Sequence, residues 1–187
     1  MPVEIEAKFH LGDPETLRRL LTAAGARRLG AALEHNTYFD TPDESLRKSD
    51  RGLRIRSVEA EDGSRRTELT YKGPRRPGEL KVRQEEEIVI PSAETAAAIL
   101  AGLGYRPAVR FQKRRESFHL AKARVELDEL PELGFFLEIE AGDEQTVQAV
   151  RRKLGLENAP PVTATYAALV ADHLAARPGE SNREMKF

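Results

Sequence analysis

VEIEAKF, residues 3–9, alternates with period two. Val3, Ile5, Ala7 and Phe9 share one parity, and Glu4, Glu6 and Lys8 share the other. Successive side chains of a strand point to opposite faces, so this is a strand with an apolar face and an ionic face. LEIEAG at 137–142 repeats the device, with Glu138 and Glu140 around Ile139. Two distant segments each place carboxylates two residues apart on one face. What the other strands place on that face decides the fold and its chemistry.

Working outward, HNTYFDT (35–41) reads as a strand running into a turn at Pro42-Asp43. GLRIRSVEA (52–60) and RRTELTYKG (65–73) flank EDGS and read as a hairpin. LKVRQEEEIVI (80–90) is a long strand after the loop GPRRPGE. VRFQKRRESF (109–118) and ARVELDEL (123–130) predict a second hairpin, and FFLEIEA (135–141) a last strand. Asp13-Pro14 predicts a capped helix that stops at Gly25. Ser92 predicts a second helix, Asp143 a third ending at Gly155, and 160–174 a fourth. The expectation is an α+β chain of about eight strands, mostly in antiparallel hairpins, with helices on the apolar face.

On the ionic parity stand Arg54 and Arg56, then Lys72, then Arg83, Glu85 and Glu87. Lys113 and Arg115, Glu126 and Asp128, and Glu138 and Glu140 follow. The opposite parity is mostly apolar. A single half-buried antiparallel strand often shows a solvated charged face. Here the face is almost purely ionic, and the signs segregate by strand. If the sheet closes into a barrel, that face becomes a wet lumen lined with both signs. Arginine and lysine neutralise phosphate oxygens. Paired carboxylates hold hard divalent ions such as Mg2+ or Mn2+. A triphosphate with its metal calls for both sets, and positioning plus charge stabilisation supply most of the rate of phosphoryl transfer.

The 187 residues suit one domain, and the net charge of −1 recruits neither nucleic acid nor membrane. There is no Cys, so no disulfide framework or thiolate metal site. No stretch has the apolar length of a membrane span and no signal-peptide pattern opens the chain, which sets the expectation at a cytoplasmic protein. His10, His35, His119 and His173 lack metal-ligand spacing. No Walker loop or dinucleotide Gly motif occurs. Aromatic residues are 6%, which offers few platforms for stacking nucleic-acid bases.

These residues resemble the CYTH family, also called triphosphate tunnel metalloenzymes, which includes class IV adenylate cyclases, thiamine triphosphatases and tripolyphosphatases. The family's opening Glu-x-Glu-x-Lys stands here as Glu4-Ile5-Glu6-Ala7-Lys8. TYFDT at 37–41, LRIR at 53–56, TYKGP at 70–74 and RQEEE at 83–87 follow in family order. So do KRRE at 113–116, VELDELPELGFFLEIE at 125–140 and TYAAL at 165–169. The ELGFFLEIE stretch looks most like the class IV cyclase branch. The resemblance implies a closed eight-stranded antiparallel tunnel over 1–176, with 177–187 as a loose tail. It implies that Glu4, Glu6, Glu138 and Glu140 hold the metal, with Asp128 and Glu126 nearby. It assigns Lys8, Arg54, Arg56, Lys72, Lys113 and Arg115 to the triphosphate, and Arg83, Glu85 and Glu87 to the tunnel lining. Tyr38 and Asp40 share a parity that can line a tunnel mouth. Class IV cyclases carry a His-Phe pair shortly before the Glu-x-Glu-x-Lys, where only Met1, Pro2 and Val3 stand here. That departure sets the expectation at metal-dependent hydrolysis of a small-molecule triphosphate. Cyclisation of ATP and non-catalytic polyphosphate binding remain the alternatives, and homodimerisation is left open.

Overall fold

The computed structural model of the chain describes residues 3–78, 80–177 and 184–187, apart from the side chains of Val3 and Glu4. Strand β1 (Val3–Leu11) leads into helix α1 (Pro14–Ala23). Strand β2 (Arg27–Asp40), the short helix α2 (Ser45–Lys48) and strands β3 (Gly52–Ala60), β4 (Arg65–Lys72) and β5 (Lys81–Val89) follow. Helix α3 (Ala93–Gly102) precedes strands β6 (Arg106–Leu120), β7 (Ala123–Leu130) and β8 (Gly134–Ala141). Helices α4 (Glu144–Lys153) and α5 (Tyr166–Ala175) and a two-residue strand β9 (Glu184–Met185) complete the order.

The sheet runs β2-β3-β4-β5-β1-β8-β7-β6, and β6 pairs back onto β2, which closes an eight-stranded antiparallel barrel. The closing ladder is the longest, from Arg27↔His119 to Asp40↔Arg106. Closure leaves one face of every strand outside and one inside.

The outer face is the apolar parity. Phe9, Val125, Leu137 and Ile139 have no exposed surface, and they pack with Leu17 and Leu21 of α1, Val147 and Val150 of α4 and its C-cap Leu154. A second cluster sets Leu100 of α3 on Phe39 and Ile55. A third, on the inward parity of its strands, sets Tyr166 and Val170 of α5 beside Phe111, Leu130 and Phe136, so α5 packs against one end of the barrel interior. The predicted caps form. Asp13 accepts from the N–H of Thr16, Ser92 from Thr95 and Asp143 from Thr146.

Four boundaries differ from the sequence reading. Strand β2 begins at Arg27 rather than 35. Its first half holds Gly30, Ala31 and Ala32, which have weak strand propensity, and pairing with β6 overrides that preference. The expected helix over 160–174 begins only at Tyr166, capped by Thr165. Pro160 and Pro161 lack N–H groups, and the N–H of Val162 instead donates to the Lys8 carbonyl at 2.7 Å. Helix α2 was not anticipated. It is capped from a distance by Asp40, which accepts from the N–H groups of Leu46 and Arg47, both at 2.9 Å. The expectation of a loose end over 177–187 does not hold for Glu184–Met185. This pair lies parallel to Arg110–Phe111, with Met185 buried. No helix among the described residues is long and apolar enough to cross a membrane.

Candidate active site

The inner face encloses a lumen of about 550 Å3. Among the described residues its wall carries ten Lys and Arg side chains against eight Glu. The chain is close to neutral overall, and its interior concentrates both signs, with Glu68 and Asp128 buried beside these side chains.

The two signs interleave around the wall, and the carboxylates that face one another lie on three adjacent strands. Strands β7, β8 and β1 contribute Glu126, Glu138, Glu140 and Glu6. The antiparallel register sets Glu6 directly opposite Glu140 and Glu126 directly opposite Glu138. Like charges directly opposite across strands are destabilising, so this arc requires cations. Protein cations are present. Lys81 donates to Glu6 at 2.8 Å, Lys8 lies 3.2 Å from Glu138, Arg115 donates to Glu138 at 2.6 Å, and Arg124 bonds Glu126. Burial pushes Glu138 toward the neutral acid, but Lys8, Arg115, Lys113 and Lys81 outweigh it and hold the carboxyl well below the usual range. Burial, reinforced by Lys8, pushes the Lys81 ammonium down to about 8.

Strands β3, β4, β5 and β6 supply most of the Lys and Arg side chains, with Glu68, Glu85, Glu86 and Glu87 among them. Arg56 bonds Glu68 at 2.5 Å and reaches Glu87 at 3.4 Å. Arg54 donates to Thr70 at 3.3 Å, Thr70 donates to Glu87 at 3.0 Å, and Lys72 pairs with Glu85. Glu34 of β2 sits among Lys113 at 3.2 Å, Arg56 at 3.5 Å and Arg115 at 3.8 Å. Burial alone would raise its pKa, and the three cations hold it far below the ordinary carboxylate value.

The carboxylates and the cations meet at Asp128. This carboxylate has no exposed surface and is absent from the lumen wall among the described residues. It accepts two bonds from Arg115, each 2.6 Å, one from Lys113 at 3.2 Å and one from the Tyr166 hydroxyl at 2.8 Å. The Tyr166 ring lies 3.5 Å below the Lys8 ammonium and 5.0 Å from that of Lys113. Burial and the Asp128 and Glu138 charges push the Tyr166 phenol well above its usual value, so it stays a neutral donor.

These contacts sort the expected site. Lys8, Arg54, Arg56, Lys72, Arg83, Lys113 and Arg115 all line the lumen, as do Tyr38, Glu85 and Glu87. Glu6, Glu126, Glu138 and Glu140 line it too. The side chain of Glu4 lies outside the described residues. Asp128, expected near the metal, is not among the lumen-wall residues. Four donors occupy its two oxygens behind the lumen wall, and it orients the cations. Asp40 likewise is committed to the cap of α2. Glu34, Glu68, Lys81, Arg124 and Tyr166 were missed. Lys81 and Arg124 lie on the inward parity of their strands, two residues before Arg83 and Glu126, so the alternation alone could have found them. Glu34 belongs to the half of β2 that was not recognised, and only tertiary contacts place Tyr166.

The carboxylates suit a hard divalent ion. They offer only oxygen donors, they face one another in pairs, and Glu126 Oε2 is buried with no hydrogen-bond partner. As they stand, no three acidic or histidine side chains among the described residues converge on one point, because these carboxylates engage protein cations.

The same architecture recurs in known proteins. The CYTH domain profile matches residues 2–166. Adenylate cyclase CyaB of Aeromonas hydrophila is 30% identical over 181 residues, which span 91% of this chain and 90% of that one. The PH1819 protein of Pyrococcus horikoshii superposes with a TM-score of 0.78 at 26% identity, over 91% of this chain and 99% of the other. HpAC1 from Hippeastrum superposes at 0.67 and 19% identity, covering 92% and 96%. Its structure is described under an adenylyl cyclase name and as revealing a dominant triphosphatase activity. A profile spanning nearly the whole chain, on a closed barrel with an ionic interior, makes this protein a member of the CYTH domain family.

Proposed function

We propose that this protein is a divalent-metal-dependent enzyme that hydrolyses a small-molecule triphosphate inside the barrel. The observation that carries the reading is that one lumen holds ten Lys and Arg side chains together with an arc of carboxylates that face one another. A pure anion binder would gain nothing from those carboxylates.

In this reading Arg54, Arg56, Lys72, Lys113 and Arg115 bind and extend the triphosphate, with Lys8 beside the facing carboxylates. Arginine forks engage two phosphate oxygens each, so register along the tunnel follows from their spacing on β3 and β6. Asp128 and Glu34 hold Lys113 and Arg115 in place before substrate arrives, so little reorganisation remains for the reaction. Glu6, Glu126, Glu138 and Glu140 hold the metal, with Glu4 on the same strand parity. When bound, the ion would supply charge neutralisation on phosphate oxygens and make an attacking water easier to deprotonate. Water oxygen bonds to the end phosphorus as the bridging P–O bond breaks, the water's proton leaves to solvent or to the departing phosphate, and the Lys and Arg side chains neutralise the charge that develops on the departing phosphate oxygen.

A second reading, cyclisation of ATP, draws support from the name of the Aeromonas hydrophila relative. The same side chains would serve it, with a ribose hydroxyl as the attacking group. A cyclase name does not exclude hydrolysis, as the description of HpAC1 illustrates. The test is to incubate purified protein with ATP, thiamine triphosphate or tripolyphosphate plus Mg2+ or Mn2+ and identify the products by mass spectrometry. Orthophosphate release is expected. Cyclic AMP with pyrophosphate establishes the second reading, and tight binding without turnover establishes a binding module.

A further inference from the structure

Strand β6 has fifteen residues and strand β7 has eight, so β7 covers β6 over Arg114–Leu120. At Arg110 and Phe111 one edge of β6 pairs with Thr37 and Asn36 of β2, and the other pairs with Glu184 and Met185 of β9. Strand β9 thus takes the edge past which β7 stops. It lies outside residues 2–166, the stretch that the CYTH profile matches. Met185 is buried in the cluster of Phe111, Phe136 and Tyr166. The Phe187 N–H donates to Gln112 Oε1 at 2.9 Å, and the Arg114 guanidinium stands 3.8 Å from the centre of the Phe187 ring. A two-residue parallel ladder and one buried methionine are a small gain, and ordering four residues opposes it with a loss of chain entropy of similar size. Such a segment has docked and released states close in free energy, and a ligand that prefers one of them shifts the balance.

Tyr166 connects this segment to the lumen. Its ring belongs to the cluster that Met185 completes and meets the Phe136 ring edge-on at 5.3 Å. Its hydroxyl donates to Asp128 at 2.8 Å, and its face lies 3.5 Å from the Lys8 ammonium. Asp128 in turn accepts from Arg115 and Lys113. One ring therefore stands between the buried end of β9 and three lumen cations.

We propose that β9 is a regulatory strap, with Met185 as a positioning residue that acts through Tyr166. Docked, the strap steadies the ring that seats Lys8 and bonds Asp128. Released, it opens the cluster behind that ring, and Lys8, Lys113 and Arg115 lose part of their fixed arrangement. A polyanion in the lumen then binds the docked state more tightly, and by reciprocity it strengthens docking by the same factor. The proposal rests on the triphosphate reading of the lumen and adds a control to it.

The test uses the full chain with tripolyphosphate and with ATP, each without added divalent metal so that no turnover intervenes. Titration calorimetry gives dissociation constants for the wild type, Met185→Asp and Met185→Leu. Hydrogen exchange read by mass spectrometry follows the amides of residues 184–187 with and without ligand. Met185→Asp puts a charge into the cluster and releases the strap. It should weaken binding at least about fivefold while the circular dichroism spectrum stays that of the wild type, and Met185→Leu should restore the affinity. In the wild type, ligand should slow exchange over 184–187 by a factor of the same size. The strap opens locally, so a purely structural tail would show no such slowing. Ligand binding with exchange over 184–187 unchanged overturns the strap and leaves the triphosphate reading intact, as does unchanged affinity in folded Met185→Asp. Should that variant fail to fold, the wild-type exchange measurement decides by itself. Binding of neither ligand to the wild type overturns both readings.

Discussion

Two carboxylates on the same face of β7, Glu126 and Asp128, sit two residues apart and are equally buried, yet the barrel treats them differently. Asp128 accepts from Arg115, Lys113 and Tyr166 and has no free acceptor site facing the lumen. Glu126 lines the lumen, faces Glu138 across the ladder and keeps Oε2 without a hydrogen bond. The comparison separates burial from availability. A buried acid whose oxygens are all taken is part of the framework that aims the cations. A buried acid opposite another acid, with an oxygen to spare, is a place where a ligand ion lowers the free energy.

The largest effect should come from the framework end. Asp128→Ala removes one partner from Arg115, Lys113 and Tyr166 at once and leaves two buried cations and a buried hydroxyl short of an acceptor. Breaking buried pairs in this way costs about 3–5 kcal/mol. Urea denaturation should show the midpoint fall accordingly, and a loss below about 1 kcal/mol would show that the hub is not structural.

Next comes the opposite end. A divalent ion that binds only the folded protein stabilises it by about 2.7 kcal/mol at a hundredfold excess over its Kd. Thermal melts of the wild type should therefore rise with Mg2+ or Mn2+. The rise should vanish in Glu6→Gln with Glu140→Gln, and Glu126→Gln should blunt it while lowering turnover by about 10–100-fold. If the two-site variant still gains stability from metal, the facing carboxylates are not the ligands.

The same contrast explains what could be read in the sequence. Period-two alternation is local, so the ionic parity, and with it nearly all the lumen wall, was visible strand by strand. The apolar parity of 3–9 and 135–141 likewise identified the outer core. What alternation cannot convey is which carboxylate meets which cation. Glu126 and Asp128 are indistinguishable in ARVELDEL, because the difference is made by Arg115 and Tyr166, which lie on β6 and α5. The Gly-Ala half of β2 was invisible for a related reason. Its strand character, and the central place of Glu34, come from pairing with β6 rather than from its own residues.

A smaller effect in the working range is set by pH. The folded-state pKa values of Glu34 and Glu138 lie below the ordinary carboxylate value. Their stabilisation is complete above that value and is lost as pH falls toward the folded values. Stability from this source should be flat from pH 7 to about 5 and decline below, with Glu34→Gln flattening the acid limb. A wild-type acid limb unchanged by that substitution would show that the Glu34 cluster does not set acid stability.

The smallest effect belongs to the same chemistry placed outside the barrel. Glu59 and Arg65 stand directly opposite at the turn end of the β3–β4 hairpin and approach to 3.1 Å. Their side chains are 47% and 76% exposed. Water solvates both ions whether or not they touch, ordering two long side chains opposes the contact, and salt screens what remains. A double-mutant cycle of Glu59→Ala and Arg65→Ala should therefore return a coupling of about 0.2–1 kcal/mol that shrinks in high salt. The Arg115–Asp128 pair should show a coupling several times larger and nearly insensitive to salt, because no solvent separates the partners. Equal couplings at the two sites would mean that the lumen is as well solvated as the surface. The distinction between framework and ligand carboxylates would then have to rest on hydrogen-bond geometry alone rather than on burial.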